Sequence, residues 1–516
     1  MKKNSLISVF ILIMFGLTTT AQDNKITIKI KEAKDTISRH IYGHFSEHLG
    51  RCIYGGIWVG EESSIPNING YRTDVVDALK ELQIPNLRWP GGCFADEYHW
   101  RDGIGPRENR PRMVNTNWGG VVEDNSFGTH EFLDFCELLG TEPYLSMNVG
   151  SGTVEEMAKW VEYVNSDGDS PMANLRRQNG RDKPWNVKFV GVGNESWGCG
   201  GEMRPEFYAD QFRRYATYCR NYGKNRLYKI ASGASDYDFN WTKVLMENIG
   251  YRMQGLSLHY YTVKTWTGSK GSATEFNTDE YFFTVKKAMG IEPVVKKHIS
   301  LMDNYDPENK IGLMVDEWGT WFDVEPGTEP GFLYQQNTLR DALVASINLN
   351  VFNNHCHRVK MANIAQIVNV LQAIILTKED QMVKTPTFYV FKMYKVHKDA
   401  LLLPVEVNSG YYYNQEDSIP TLSVSASKNA ENEVNITLAN VNPDDPASTS
   451  ITIDNDMKYK VSRAEIITAE NISDYNDFGK EELVNIKEFK DLDMKGNEVK
   501  VNLPPKSVIL ITLAEK

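Results

Sequence analysis

From about residue 37 to about residue 400, short β-branched and aromatic runs alternate with longer stretches whose apolar positions recur every three to four residues. The strand-like runs are residues 40–45, 86–89, 143–148, 187–193, 227–232, 254–260, 311–317 and 360–366. The amphipathic stretches that follow them are residues 74–82, 129–139, 154–164, 205–221, 241–249, 280–302, 333–350 and 387–397. Eight strand–helix pairs predict an α/β chain folded as a (β/α)8 TIM barrel. An open doubly wound sheet would carry a G-x-G-x-x-G turn after its first strand, and none stands there.

Beyond residue 400 the helical period stops. Strand-like runs remain at residues 421–426, 433–439, 450–453, 458–467, 498–503 and 508–513, which predicts a jelly-roll-like β-sandwich. Ile26-Thr27-Ile28-Lys29-Ile30 alternates in the same way before the barrel begins, so it is expected to add a strand to that sandwich. The expected organisation is residues 22–38 as the N-terminal sandwich strand, 39–399 as the catalytic barrel and 400–516 as the sandwich. Ahead of these, Lys2 and Lys3 precede an apolar run at residues 6–17, followed by Thr19-Thr20-Ala21. That pattern predicts a signal peptide over residues 1–21 and a periplasmic or extracellular protein, because the run is too short to span a bilayer.

Composition narrows the function. The 516 residues are 41% hydrophobic and 24% charged, a globular balance. The net charge of −12 argues against a nucleic-acid partner, and no later segment is apolar enough for a membrane span. Six scattered cysteines include no C-x-x-C pair, so most are expected to be buried free thiols, and no structural zinc site is expected. The segment His44-Phe45-Ser46-Glu47-His48 matches the H-x-x-E-H zinc-protease pattern, but that pattern works on a helix, and here it continues a strand between Gly43 and Gly50.

In such a barrel the chemistry gathers at the C-terminal ends of the strands. Strand four ends in Gly193-Asn194-Glu195 and strand seven in Val315-Asp316-Glu317-Trp318, each offering a carboxylate at the mouth. Side chains alternate along a strand, so Glu317 is taken as the inward residue and Asp316 as structural. Two carboxylates at a barrel mouth suit glycosidic cleavage, one protonating the leaving oxygen while the other attacks. Glu47, Arg88, Cys93, His259, Tyr261 and Gln366 lie at other strand ends, and Trp100, Trp197, Trp318 and Trp321 are candidates for stacking on sugar faces.

Taken together and in order, Tyr42-Gly43-His44-Phe45-Ser46-Glu47-His48-Leu49-Gly50, Arg88-Trp89-Pro90-Gly91-Gly92, Gly193-Asn194-Glu195, Ser257-Leu258-His259-Tyr260-Tyr261 and Val315-Asp316-Glu317-Trp318 resemble an α-L-arabinofuranosidase of glycoside hydrolase family 51. The resemblance runs through nearly the whole chain. It implies a barrel with a β-sandwich, Glu195 as general acid/base, Glu317 as nucleophile and Asn194 as a sugar hydrogen-bonding residue. Glu47, Cys93, His259, Tyr261 and Gln366 would line the arabinofuranose pocket, and Arg88 would support the nucleophile.

The reading is therefore a retaining exo-glycosidase that needs neither cofactor nor metal. It would release terminal α-L-arabinofuranosyl units from arabinan or arabinoxylan, and the family's habit of association allows a homo-oligomer. A β-xylosidase or endo-glucanase on the same scaffold and a non-catalytic carbohydrate-binding protein are the alternatives.

Overall fold

The computed structural model describes residues 24–516; the expected signal peptide over residues 1–21 lies outside them. Eight parallel strands close into a barrel in chain order: Gly43–Phe45, Asn86–Trp89, Glu142–Met147, Phe189–Val192, Tyr228–Ser235, Gly255–Val263, Gly312–Trp321 and Val359–Ala365. All eight predicted strands have their counterpart. The first is shorter than expected, because residues 39–42 form a 3-10 turn that leads into it.

Helices follow every strand. The long pattern predicted after strand six divides into Thr278–Met289 and Ile291–Asp303. Pro293 accounts for the break, since its ring would collide with the carbonyl of Met289 in a continuous helix. The helix after strand seven begins at Leu339, later than its apolar pattern suggested, because Thr338 and Asp341 form a capping box there. Its apolar and polar residues are both buried, since it is packed between the barrel and the second domain.

That second domain is a sandwich of two sheets. One contains five strands, including Ala447–Ile453, Glu498–Leu503 and the N-terminal strand Asn24–Ile28, which pairs parallel with Ala447–Ile453. The other has six strands, with Leu422–Lys428, Val434–Asn440, Ser507–Glu515 and Tyr459–Ile467 side by side. Ile26, Ile28, Ile451 and Val501 from the first sheet meet Val424, Ile436, Leu438 and Ile511 from the second in one dry core. Alternation in the sequence translates directly into this geometry, because every second residue of a strand faces the opposite sheet. Among the described residues no helix is long and apolar enough to cross a membrane.

Candidate active site

Strands four and seven deliver the two carboxylates. Glu195 sits in a turn just beyond strand four with φ at 38°, a left-handed conformation that costs energy for a non-glycine residue and is held by its surroundings. Glu317 lies within strand seven and is 5% exposed. One oxygen of Glu195, one of Glu317 and a ring nitrogen of His259 lie within 4.8 Å of one another.

Glu317 is held from two sides. Arg88 Nη1 donates to Oε1 at 2.7 Å, and Tyr261 OH donates to Oε2 at 2.9 Å. The same guanidinium donates through Nη2 to Asn194 Oδ1 at 2.5 Å, linking strands two, four and seven. Burial would push the Arg88 guanidinium toward losing its proton, but Glu317 and Asp316 outweigh that and keep it cationic. Gly91 and Gly92 are required by close approach: a Cβ on Gly91 would lie 2.6 Å from Glu47 Cγ, and one on Gly92 3.0 Å from Glu317 Oε1.

Asp316 and Glu317 do not divide as simple alternation predicts. The register of strand seven against strand eight shifts between Val315 and Trp318, and that of strand six against strand seven shifts between Ser257 and His259. These irregularities let both carboxylates join one buried cluster. Asp316 accepts from Tyr144 OH at 2.7 Å and from Ser257 Oγ, and its Oδ1 is 3.4 Å from His259 Nε2. Burial would raise its pKa, but Arg88 and His259 bring it down to about 2.

His259 connects the cluster to Glu195, its Nδ1 lying 2.7 Å from Glu195 Oε1. Burial works against its charge, yet Glu317, Asp316 and Glu195 together raise it to about 10, so it is an imidazolium at neutral pH. Glu195 is itself pushed up, first by burial and then by Glu317, against the pull of His259. A proton donor beside an ionised carboxylate is the arrangement that acid-assisted glycosidic cleavage requires.

The floor of the pocket is built from strands one and eight. Glu47 accepts from Phe94 N at 3.1 Å, Trp118 Nε1 at 2.9 Å and Gln366 Nε2 at 3.1 Å. Burial and then the charge of Glu317 raise it to about 7. Gln366 Oε1 is buried with no hydrogen-bond partner among the described residues. Beneath Asn194, Asp96 gathers the backbone N–H groups of Val149, Gly150 and Asn194, at 2.7, 2.8 and 2.9 Å.

These groups open into a cavity of about 320 Å3 lined by Glu47, Cys93, Glu195, Tyr261, Glu317 and Gln366, with Trp118, Trp197, Trp266 and Trp321 as aromatic walls. Two of the expected stacking residues are elsewhere. Trp100 is buried against Trp160 and donates to Glu156 O, while Trp318 is packed between Phe352 and Phe391 behind the strand. Alternation alone turns Trp318 outward, into the helical layer. Trp118 and Trp266 were not foreseen: Trp118 lies in the long excursion after strand two and Trp266 in the loop just beyond strand six, and no local pattern marks either indole as facing the pocket. Nor were Asp96 and Tyr144, whose partners are remote in sequence.

The zinc-protease pattern is dismantled by the fold. His44 lies on strand one against Phe391, and His48 packs among Tyr54, Trp89 and Phe94, so the two imidazoles share no helical face. Four cysteines are free and buried, as expected of most, but Cys93 and Cys199 form a disulfide on the pocket rim.

Comparison with known proteins agrees with this geometry. Residues 78–294 match the family profile described as alpha-L-arabinofuranosidase 1 domain, and residues 316–507 match the alpha-L-arabinofuranosidase C-terminal domain. The chain is 60% identical over 514 residues to an intracellular exo-alpha-L-arabinofuranosidase of Bacteroides ovatus, covering 99% of this chain and 100% of that one. It superposes on the GH51 arabinofuranosidase of Xanthomonas axonopodis pv. citri with a TM-score of 0.94 at 48% identity, covering 95% and 100% of the two chains. An arabinose complex of the Thermotoga maritima alpha-L-arabinofuranosidase gives 0.83 at 30% identity, over 96% and 100%. The word intracellular in the first of these names corrects the expectation of a signal peptide and a periplasmic or extracellular protein. Lysines followed by a short apolar run are a local pattern, and here that pattern misled.

Proposed function

Since the chain belongs to glycoside hydrolase family 51, the α-L-arabinofuranosidases, we propose that its pocket cleaves terminal, non-reducing α-L-arabinofuranosyl units from arabinan or arabinoxylan fragments with retention of configuration. The observation that carries this reading is the approach of Glu195 and Glu317 to within 4.8 Å across His259. A separation near 5 Å leaves no room for a water between carboxylate and sugar, which favours direct attack.

Glu317 is the nucleophile in this reading. Arg88 and Tyr261 hold its two oxygens and fix its aim. Glu195 gives its proton to the departing oxygen and then takes one from the water that frees the sugar. The imidazolium of His259 steadies Glu195 in the charged state between the two steps. Asn194, Glu47 and Gln366 would hold ring hydroxyls; Gln366 Oε1 has no hydrogen-bond partner among the described residues and is placed to accept from one.

A small cavity with aromatic walls suits one terminal sugar and favours exo action over an endo-glucanase, which needs an open cleft. The Bacteroides ovatus relative is named intracellular, which supports action inside the cell, and association into a homo-oligomer belongs to the same reading. The deciding experiment is a panel of aryl α-L-arabinofuranosides, β-xylosides and β-glucosides, with proton NMR of the first sugar anomer released. Arabinose freed first as the α anomer is the expected result; inversion, or preference for another glycoside, would overturn it.

A further inference from the structure

The rim of the pocket carries chemistry that glycosidic cleavage does not use. Cys93, in the turn after strand two, and Cys199, in the turn after strand four, are joined across a sequence separation of 106 residues. The bridge ties the strand-two loop carrying Gly92, where a Cβ would lie 3.0 Å from Glu317 Oε1, to the loop that carries Glu195. Cys199 is solvent-exposed, whereas Cys52, Cys136, Cys219 and Cys356 are buried and free. Burial pushes the thiols of Cys52, Cys219 and Cys356 up to about 12, so these do not compete for solutes.

Cys199 Sγ lies 3.6 Å from Glu195 Oε2, and both sulfurs and a Glu195 oxygen fall within 4.8 Å of one another. Two sulfurs and a carboxylate converging on one point form three of the four donors of a tetrahedral soft-metal site. We propose that the Cys93–Cys199 bridge is a redox-gated metal site: oxidised it is closed, and reduced it takes a thiophilic divalent cation such as Zn2+ or Cd2+ that captures Glu195 and stops turnover.

A dithiol reductant breaks the S–S bond, supplying two electrons and two protons and leaving as its own disulfide, so Cys93 and Cys199 become thiols. The cation then releases both thiol protons to solvent and binds two thiolates, one Glu195 oxygen and a water. Sulfurs each about 2.3 Å from a tetrahedral ion stand about 3.8 Å apart. Rotation of the two side chains reaches that spacing, because the Cα atoms are already 5.4 Å apart. Once ligated, Glu195 can neither deliver nor accept a proton. Inside a cell, where thiols stay reduced, the site would be open and activity would follow the free concentration of such ions.

The test uses the full chain, oxidised or reduced with a phosphine and desalted under argon. Cd2+ binding is read from the thiolate-to-metal ultraviolet band, and Zn2+ inhibition from turnover of an aryl arabinofuranoside. The reduced protein is expected to bind one Cd2+ and to lose activity about tenfold or more at micromolar Zn2+, with recovery on adding a chelator. The oxidised protein is expected to show neither effect, and Cys199→Ser under reducing conditions should show no band and no added sensitivity. Equal sensitivity of oxidised and reduced protein, or of Cys199→Ser, would overturn the proposal; so would Cd2+ binding that leaves turnover intact. Reoxidation of the same wild-type sample must restore insensitivity, which keeps the test decisive if the variant folds poorly. Failure of any arm leaves glycosidase activity in metal-free buffer, and hence the proposed function, unaffected.

Discussion

At the barrel mouth, the buried carboxylates of Glu47, Asp316 and Glu317 and the half-buried one of Glu195 gather around Arg88 and His259. Along the helix Leu339–Asn354, the buried polar groups that face the sandwich are neutral. Asn350 Oδ1 accepts from Ser425 Oγ, Thr437 Oγ1 and Tyr394 OH at 2.8, 2.9 and 3.1 Å, Asn353 Nδ2 donates to Ser425 Oγ, and Asn354 Nδ2 to Val424 O. Even His397 at this joint is kept uncharged, burial bringing it down to about 3. Neutral amides and hydroxyls that satisfy one another fix an interface at small cost, whereas buried charges are costly unless paired. The mouth bears that cost because the proposed attack by a carboxylate and the proton transfer beside it need groups that ionise. The two regions therefore separate rate from stability, and substitutions should divide the same way.

The largest effect is expected from Glu317→Ala, which should lower turnover by about 10^4-fold or more with the fold intact by circular dichroism. Substantial residual turnover would end its assignment as nucleophile. Glu195→Ala comes next, at about 10^2- to 10^4-fold on a poorly departing alcohol and far less on an activated aryl group. A uniform loss across leaving groups would remove the acid role. On the other side of the comparison, Asn350→Ala strands hydrogen-bond donors at the joint and should cost about 1–3 kcal/mol in urea unfolding, while kcat/KM per folded molecule stays unchanged. A large fall in kcat/KM there would mean that the joint and the mouth are coupled. The smallest effect is a shift rather than a loss. A cationic neighbour favours ionised Glu195, so His259→Gln removes that bias and the alkaline limb of the pH profile, set by loss of the Glu195 proton, should move to higher pH. A limb that stays in place or moves down would separate His259 from the proton held by Glu195.

Much of the barrel was legible because each strand–helix pair is written locally, in the change from period two to period 3.6. Positions such as Glu195 and Glu317 were legible for a related reason: a strand end in a barrel is a mouth position whatever the rest of the chain does. Asp316 was set aside because alternation is a rule for regular strands, and the register shift beside it depends on neighbouring strands. Trp118 and Trp266 were missed while Trp100 and Trp318 were proposed, since an indole looks alike in sequence whether it meets a sugar or a phenylalanine. The disulfide was missed for the same reason, as Cys93 and Cys199 approach one another only when strands two and four stand in the closed barrel.

By itself, then, the sequence determined the order of elements, the barrel, the sandwich with its borrowed N-terminal strand, and which strand ends carry carboxylates. These follow from periodicities that each segment expresses within a few turns of its own backbone. Only the tertiary structure decided which indoles wall the pocket, that Asp316 joins Glu317 beneath His259, and that two cysteines meet beside Glu195. Those outcomes depend on distances between residues remote in the chain, 106 positions for Cys93 and Cys199 and 57 for His259 and Asp316, which closure of the barrel sets and no local pattern contains.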